Sequence, residues 1–180
     1  MLIIRSKVFR ATLVLVAAAL ALAGCRSGGR DNQPTAPASS VTPGASASTA
    51  APGDAAVAAY RGMWAAFVEA AKTSDPDAPD IRKYASDNAL KLIVGGLVSN
   101  RAQGKVVKGN PVLNPKATTV SATEATILDC VDDTNWLEYK TSGELWDNKP
   151  GGKHRTTATV KAVNGTWKVS SFNLEGTGTC

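Results

Sequence analysis

Hydrophobic and polar positions divide the chain into four stretches. Ala11 to Leu22 runs without a charge and is almost wholly apolar. Residues 26–53 hold hardly an apolar side chain larger than alanine. From Asp54 the pattern becomes periodic: Val57, Tyr60, Trp64, Phe67 and Ala71 recur at steps of three and four, which lays one stripe along a helix. Asp54 is placed to cap its start, and the two prolines in Ser74–Pro79 end it. A short helix is expected over Ile81–Tyr84. Ser86 is then placed to cap a third, with Leu90, Val94, Leu97 and Arg101 on one face, Ile93 and Val98 beside them, and Gly104 as the stop.

Beyond Gly104 the period shifts towards two. Lys105–Lys108, Ala117–Val120 and Trp136–Tyr139 read as short strands, and Glu124–Asp132 as the central one. Ala125, Ile127, Asp129 and Val131 share one face of that strand; Thr126, Leu128 and Cys130 share the other. Lys140–Lys153 is polar and glycine-rich, a loop or long hairpin connection. His154–Val163 and Thr166–Leu174 flank Asn164-Gly165, a strong two-residue hairpin signal. Asn164-Gly165-Thr166 is also formally a glycosylation acceptor, here read as turn chemistry. Helices followed by antiparallel strands predict an α+β class, helices packed on one face of a strongly bent antiparallel sheet.

Charge changes the picture only once it is divided. Of the twenty cations, Arg5, Lys7, Arg10, Arg26 and Arg30 precede residue 54, whereas Asp31 is the only acid there. From Asp54 onward fifteen cations face fourteen acids. No clustered basic stretch marks a polyphosphate site, so nucleic acid is not an expected partner. Neither GxGxxG nor GxxxxGK[ST] occurs, nor Gly-x-Ser-x-Gly, nor His-Glu-x-x-His. Nucleotide-dependent and nucleophile-and-base hydrolase readings fall away, and no cofactor is expected.

Basic residues ahead of Ala11–Leu22 and small residues after it have the form of a secretory signal. The run is short for a bilayer span, which needs roughly 20 apolar residues; an uncleaved N-terminal anchor is the competing reading. Leu22-Ala23-Gly24-Cys25 resembles a bacterial lipoprotein cleavage box. The resemblance implies that residues 1–24 are removed and that Cys25 becomes an N-terminus bearing diacylglycerol and palmitate-type acyl chains. The module would then sit on the extracellular face of the cytoplasmic membrane. Residues 25–53 would be its lipidated, disordered tether, with a coil reach of about 30 Å, and residues 54–180 its one domain.

With Cys25 occupied by lipid, Cys130 and Cys180 allow one pairing, and disulfides persist outside the reducing cytosol. A bridge over ~50 residues stabilises by roughly 4 kcal/mol in the chain-entropy model. The alternative is a metal site, but one histidine and no Cys-x-x-Cys give it few ligands.

The order helix, short helix, helix, strands and long hairpin resembles the nuclear transport factor 2-like superfamily, a cone of sheet closed by helices. Tyr60, Trp64 and Phe67, Asp129-Cys130-Val131-Asp132 and Gly165-Thr166-Trp167-Lys168-Val169 carry the likeness. The sheet-end pattern is also similar to small actinobacterial lipoproteins. The resemblance implies a pocket at the open end of the cone, walled by Tyr60, Trp64, Asp129 and His154, and homodimers through the sheet. Members similar to ketosteroid isomerases and polyketide cyclases use an Asp or His base there. By that resemblance Asp129 or His154 would be the general base and Tyr60 the proton donor. The plainer alternative makes Tyr60, Trp64 and Phe67 core, Asp129 a turn acceptor and His154 a solvated strand start. Trp136 and Trp146 bracket a polar segment and suggest a partner surface, with half-buried packing as the alternative. The expected function is a non-catalytic binding or accessory domain for an envelope protein, peptide or small apolar ligand.

Overall fold

The structure, a computed structural model, describes residues 50–180. The expected signal peptide, the expected lipidation at Cys25 and the expected tether up to residue 49 lie outside the described residues. Three helices come first, α1 (Pro52–Ala71), α2 (Ile81–Tyr84) and α3 (Asp87–Gln103). Six strands follow: β1 (Lys105–Gly109), β2 (Lys116–Val120), β3 (Glu124–Asp132), β4 (Trp136–Lys140), β5 (Lys153–Val163) and β6 (Thr166–Leu174). This is the α+β order the sequence predicts, and every pairing between named strands is antiparallel.

The strands form a four-stranded sheet, β2-β3-β5-β6, and a two-stranded ribbon, β1-β4. Val112 bonds both ways with Asp132, so the segment between β1 and β2 still touches the end of β3. Pro111 and Pro115, which lack a ladder N–H, lie where the chain bends from the ribbon to the sheet. Bulges at Ala117/Thr119 and Thr159/Val160 add curvature to the sheet. The β5-β6 turn has Asn164 and Gly165 both at positive φ, 51° and 76°, the backbone of a two-residue hairpin that suits this dipeptide.

The helices cover the inner face, α1 against β2, β3, β5 and β6, and α3 against β6 and β1. Burial along β3 alternates from Ala125 to Val131, so Ala125, Ile127, Asp129 and Val131 face inward as the sequence predicts. The core joins Tyr60, Met63 and Trp64 of α1, Ile81 of α2, and Ile93 and Leu97 of α3 to Ile127, Val131, Val160 and Val169 of the sheet. α1 buries a wider arc than one stripe, including Ala56, Ala59, Ala66 and Ala70, because it packs on the sheet and also meets α2 and α3. Alanines at those positions let neighbouring elements approach closely.

Two helix starts differ from expectation. α1 begins at Pro52, whose fixed φ and missing N–H suit a first helical position, and Asp54 lies in the first turn without capping it. Its carboxylate there still complements the helix dipole. Ser86 holds the N-cap position of α3, but its hydroxyl bonds the Asp87 carboxylate at 3.0 Å and its N–H donates to the Val169 carbonyl. The buried row of α3 is Ala89, Ile93 and Leu97, with Leu90 and Val94 half-buried and Val98 exposed. Arg101 also points outward, and its guanidinium donates to the Ser74 carbonyl and to Asp75 at 2.9 Å. Gly104 ends the helix at φ 68°, as expected.

Cys130 and Cys180 form the predicted disulfide. The bridge fastens a tail that also bonds along β5. The Glu175 N–H donates to the Arg155 carbonyl, and the Gly178 N–H to the Lys153 carbonyl. Among the described residues no helix is long and apolar enough to cross a membrane.

Candidate functional site: a groove beside the filled interior

Helical spacing stacks Tyr60, Trp64 and Phe67 along α1. Trp136 on β4 meets this column edge-on, 5.2 Å from Phe67 and 5.8 Å from Trp64 between ring centres, and Phe172 of β6 meets Trp64 at 6.0 Å. Such edge-to-face arrays add packing energy beyond area burial. The interior between α1 and the sheet is therefore occupied by side chains.

The predicted catalytic residues divide accordingly. Tyr60 is fully buried, and Asp129 is 6 % exposed. One carboxylate oxygen of Asp129, Oδ1, accepts the Asn114 N–H at 2.7 Å, which pins the bend ahead of β2 to the centre of β3. Its Oδ2, the Tyr60 hydroxyl and the Trp64 indole N–H are buried and make no hydrogen bond among the described residues. Burial foremost, and then the Asp129 charge, push the Tyr60 phenol well above its ordinary value of 10.0, so Tyr60 holds its proton. Tyr60 and Asp129 thus face the core, with no opening to bring a substrate to them among the described cavities.

His154 lies on the inward face of β5 and is buried rather than solvated. Its Nδ1 lies 2.8 Å from the Glu175 carbonyl oxygen and its Nε2 3.2 Å from Asp133 Oδ1. Both neighbours are acceptors, so a proton on either ring nitrogen has a partner within hydrogen-bond distance. Asp133 Oδ1 also accepts the Gly152 N–H. His154 is engaged on both sides by the protein itself and stands apart from the Tyr60–Asp129 pair in its hydrogen bonding.

The larger cavity lies elsewhere. A groove of about 600 Å³ runs between the end of α1, the β1-β4 ribbon and the loop after β4. Phe67, Val107, Trp136, Leu137 and Leu145 supply its apolar surface; Asp133, Glu138, Asp147, Lys149 and His154 supply its charged or polar one. Of the four predicted wall residues only His154 lines it. Trp64 instead borders a second cleft of about 440 Å³ with Arg61, Val68, Pro111 and Leu113. Trp136 is half-buried in the aromatic array, and Trp146, also half-buried, lies beneath the Lys105 ammonium at 4.9 Å from its ring centre. Both tryptophans are thus half-buried against neighbouring side chains, and Trp136 also lines the groove.

The loop after β4 is shaped by its own backbone bonds. The Trp146 N–H donates to the Glu138 carbonyl and the Lys140 N–H to the Glu144 carbonyl, so the loop doubles back along β4. That return places Leu145 and Asp147 at the groove. Sequence reasoning did not locate this site, since no periodic signal ties a polar loop to the end of α1. Among the described residues there is no group of three or more His, Cys, Asp or Glu side chains arranged to hold a metal.

No protein-family model matches the chain, and no curated protein matches it. Among solved structures it is similar to a proposed aromatic ring hydroxylase from Novosphingobium aromaticivorans, at 15% identity and TM-score 0.49, covering 67% of this chain and 87% of that one. It is also similar to a nuclear transport factor 2-like protein from Cytophaga hutchinsonii, at 10% identity and TM-score 0.46, covering 68% and 96%. A third is a nuclear transport factor 2-like protein of unknown function from Shewanella oneidensis, at 12% identity and TM-score 0.45, covering 68% and 98%. Residues 50–180 form an α+β domain, helices on a curved antiparallel sheet, similar in arrangement to proteins described as nuclear transport factor 2-like.

Proposed function

We propose that this chain is a membrane-anchored extracytoplasmic binding domain, held by diacylglycerol on Cys25, whose binding site is the groove at the β1-β4 ribbon. One observation carries the non-catalytic reading. The three residues expected to do acid-base work are closed in the core (Tyr60, Asp129) or held between two acceptors of the protein (His154), whereas the larger share of the open groove's surface is apolar. Its volume is in the range of ligand sites, and its mixture of apolar floor and a few polar groups is the usual composition of one. The ligand class is an apolar segment of an envelope protein, a peptide or a small apolar molecule. The tether would let the domain work about 30 Å from the membrane surface, and two acyl chains would make the attachment lasting where one gives marginal binding.

Two measurements test this reading separately. Intact mass of the chain extracted from membranes should show an N-terminus at Cys25 carrying the diacylglycerol adduct; Met1 retained, or an unmodified thiol at Cys25, overturns the anchor. Binding should survive Asp129→Asn, which alters the interior alone, and fall in Leu137→Ser. The reverse pattern would favour the enzyme alternative, an isomerase- or cyclase-like site in the interior.

A further inference from the structure

The groove has a charge pattern that its apolar floor does not explain. Asp133, Glu138 and Asp147 line it against one lysine, Lys149, whose side chain is 88% exposed. None of the three carboxylates is fully engaged within the fold. Glu138 uses Oε2 for the Lys105 ammonium at 2.9 Å and leaves Oε1 without a partner among the described residues. Asp147 uses Oδ1 for the Lys149 N–H, while its Oδ2 is 4.0 Å from the Lys149 ammonium. Asp133 uses Oδ1 twice and Oδ2 not at all.

The groove also holds two side-chain amides, Asn100 and Asn148, that make no hydrogen bond among the described residues. A carboxamide offers a donor and an acceptor side by side, which is the complement of a peptide unit.

We propose that the groove takes an extended peptide segment in which a lysine or arginine stands beside bulky apolar residues. The apolar side chains lie on Phe67, Trp136 and Leu137; the cation meets the unengaged oxygens of Glu138 and Asp147; Asn100 and Asn148 pair with the peptide backbone. This narrows the proposed function and rests on the groove being the binding site. Charge complementarity selects the occupant: an acidic segment would bring its carboxylates against three others, and a purely apolar one would leave them unanswered.

The test uses the full chain in detergent and three fluorescein-labelled, end-blocked peptides. These are Gly-Leu-Lys-Leu-Phe-Gly and its counterparts with norleucine or glutamate in place of lysine, each also made with a photoreactive benzophenone. Fluorescence anisotropy gives affinity, and mass spectrometry of the cross-linked chain gives location. The lysine peptide should bind on the order of five- to tenfold tighter than the norleucine one, as two partly exposed charge pairs allow. It should cross-link within residues 133–151 and lose its advantage in the double variant Glu138→Gln, Asp147→Asn. Those amides keep the shape of the carboxylates, and the one introduced by Asp147→Asn retains an oxygen that can accept the Lys149 N–H. Equal affinity of all three peptides, with cross-links in the groove, overturns the charge preference and leaves the groove standing. No binding, or cross-links elsewhere, overturns both.

Discussion

Replacing Asp129 separates a structural carboxylate from a catalytic one. In Asp129→Ala the Asn114 N–H loses its only acceptor among the described residues, a 2.7 Å bond to a side chain 6 % exposed. An orphaned donor costs about 1–3 kcal/mol when fully buried. Asn114 is itself exposed, so water can recover part of that bond, and the unpartnered Oδ2 disappears as well. These two offsets put the expected loss near ~1.5 kcal/mol. Asp129→Asn keeps an oxygen that can accept from Asn114. It also removes a buried charge, so stability should stay within about 0.5 kcal/mol of the parent or rise. Urea unfolding followed by tryptophan fluorescence reads both. With a slope of roughly 2 kcal/mol per M, the alanine variant should unfold at about 0.7 M lower urea and the asparagine variant at almost the parent midpoint. An alanine variant with the parent midpoint, or an asparagine variant as weak as alanine, refutes the role assigned to this carboxylate.

Other substitutions probe the frame around the site. Cys130→Ser with Cys180→Ser opens a bridge spanning 50 residues and should lower unfolding free energy by about 4 kcal/mol at most, read by the same urea series. Hydrogen exchange should rise first over residues 175–180. Trp64→Ala removes the ring at the centre of the aromatic array and should cost about 3–5 kcal/mol, with loss of the near-ultraviolet circular dichroism of packed aromatics. Gly165→Ala, at φ 76° in the hairpin turn, should cost about 1–2 kcal/mol; thermal unfolding checks it, and an unchanged midpoint would deny that turn its left-handed backbone.

Local chemistry made much of this fold legible. The alternation from Ala125 to Val131, the Asn164-Gly165 turn and the Gly104 stop are each set by a few neighbouring residues, and each lies where the sequence puts it. Helix faces were less exact. Leu90 and Val94 read as the centre of α3, but the buried row runs through the small Ala89, which carries little hydrophobic signal and fits where β6 approaches. The split of the strands into a sheet and a ribbon was not legible, because β1 pairs with β4 across two intervening strands. The groove was hidden for the same reason. Phe67, Leu137 and Leu145 are ordinary apolar residues in their own segments and become one surface only when the loop after β4 folds back. Asp129 was correctly placed inward, but its partner, the backbone of Asn114, is a feature of a proline-flanked bend that no pattern announces.

Whether the space under α1 is closed decides between the interior and the groove, and Tyr60 reports on that directly. Its pKa is raised in the fold, by burial first and the Asp129 charge second. The unfolded chain releases this proton near pH ~10 while the folded chain keeps it, so its contribution is complete below about pH 10 and is lost as pH rises beyond it. The slope is about 1.4 kcal/mol per pH unit. Tyrosinate absorbance at high pH, compared between the parent and Tyr60→Phe, isolates the one step that the substitution removes. That step should coincide with unfolding seen by far-ultraviolet circular dichroism. A reversible step near pH ~10 in the still-folded protein would mean that solvent reaches Tyr60, and the interior, not the groove, would then be the place to look for function.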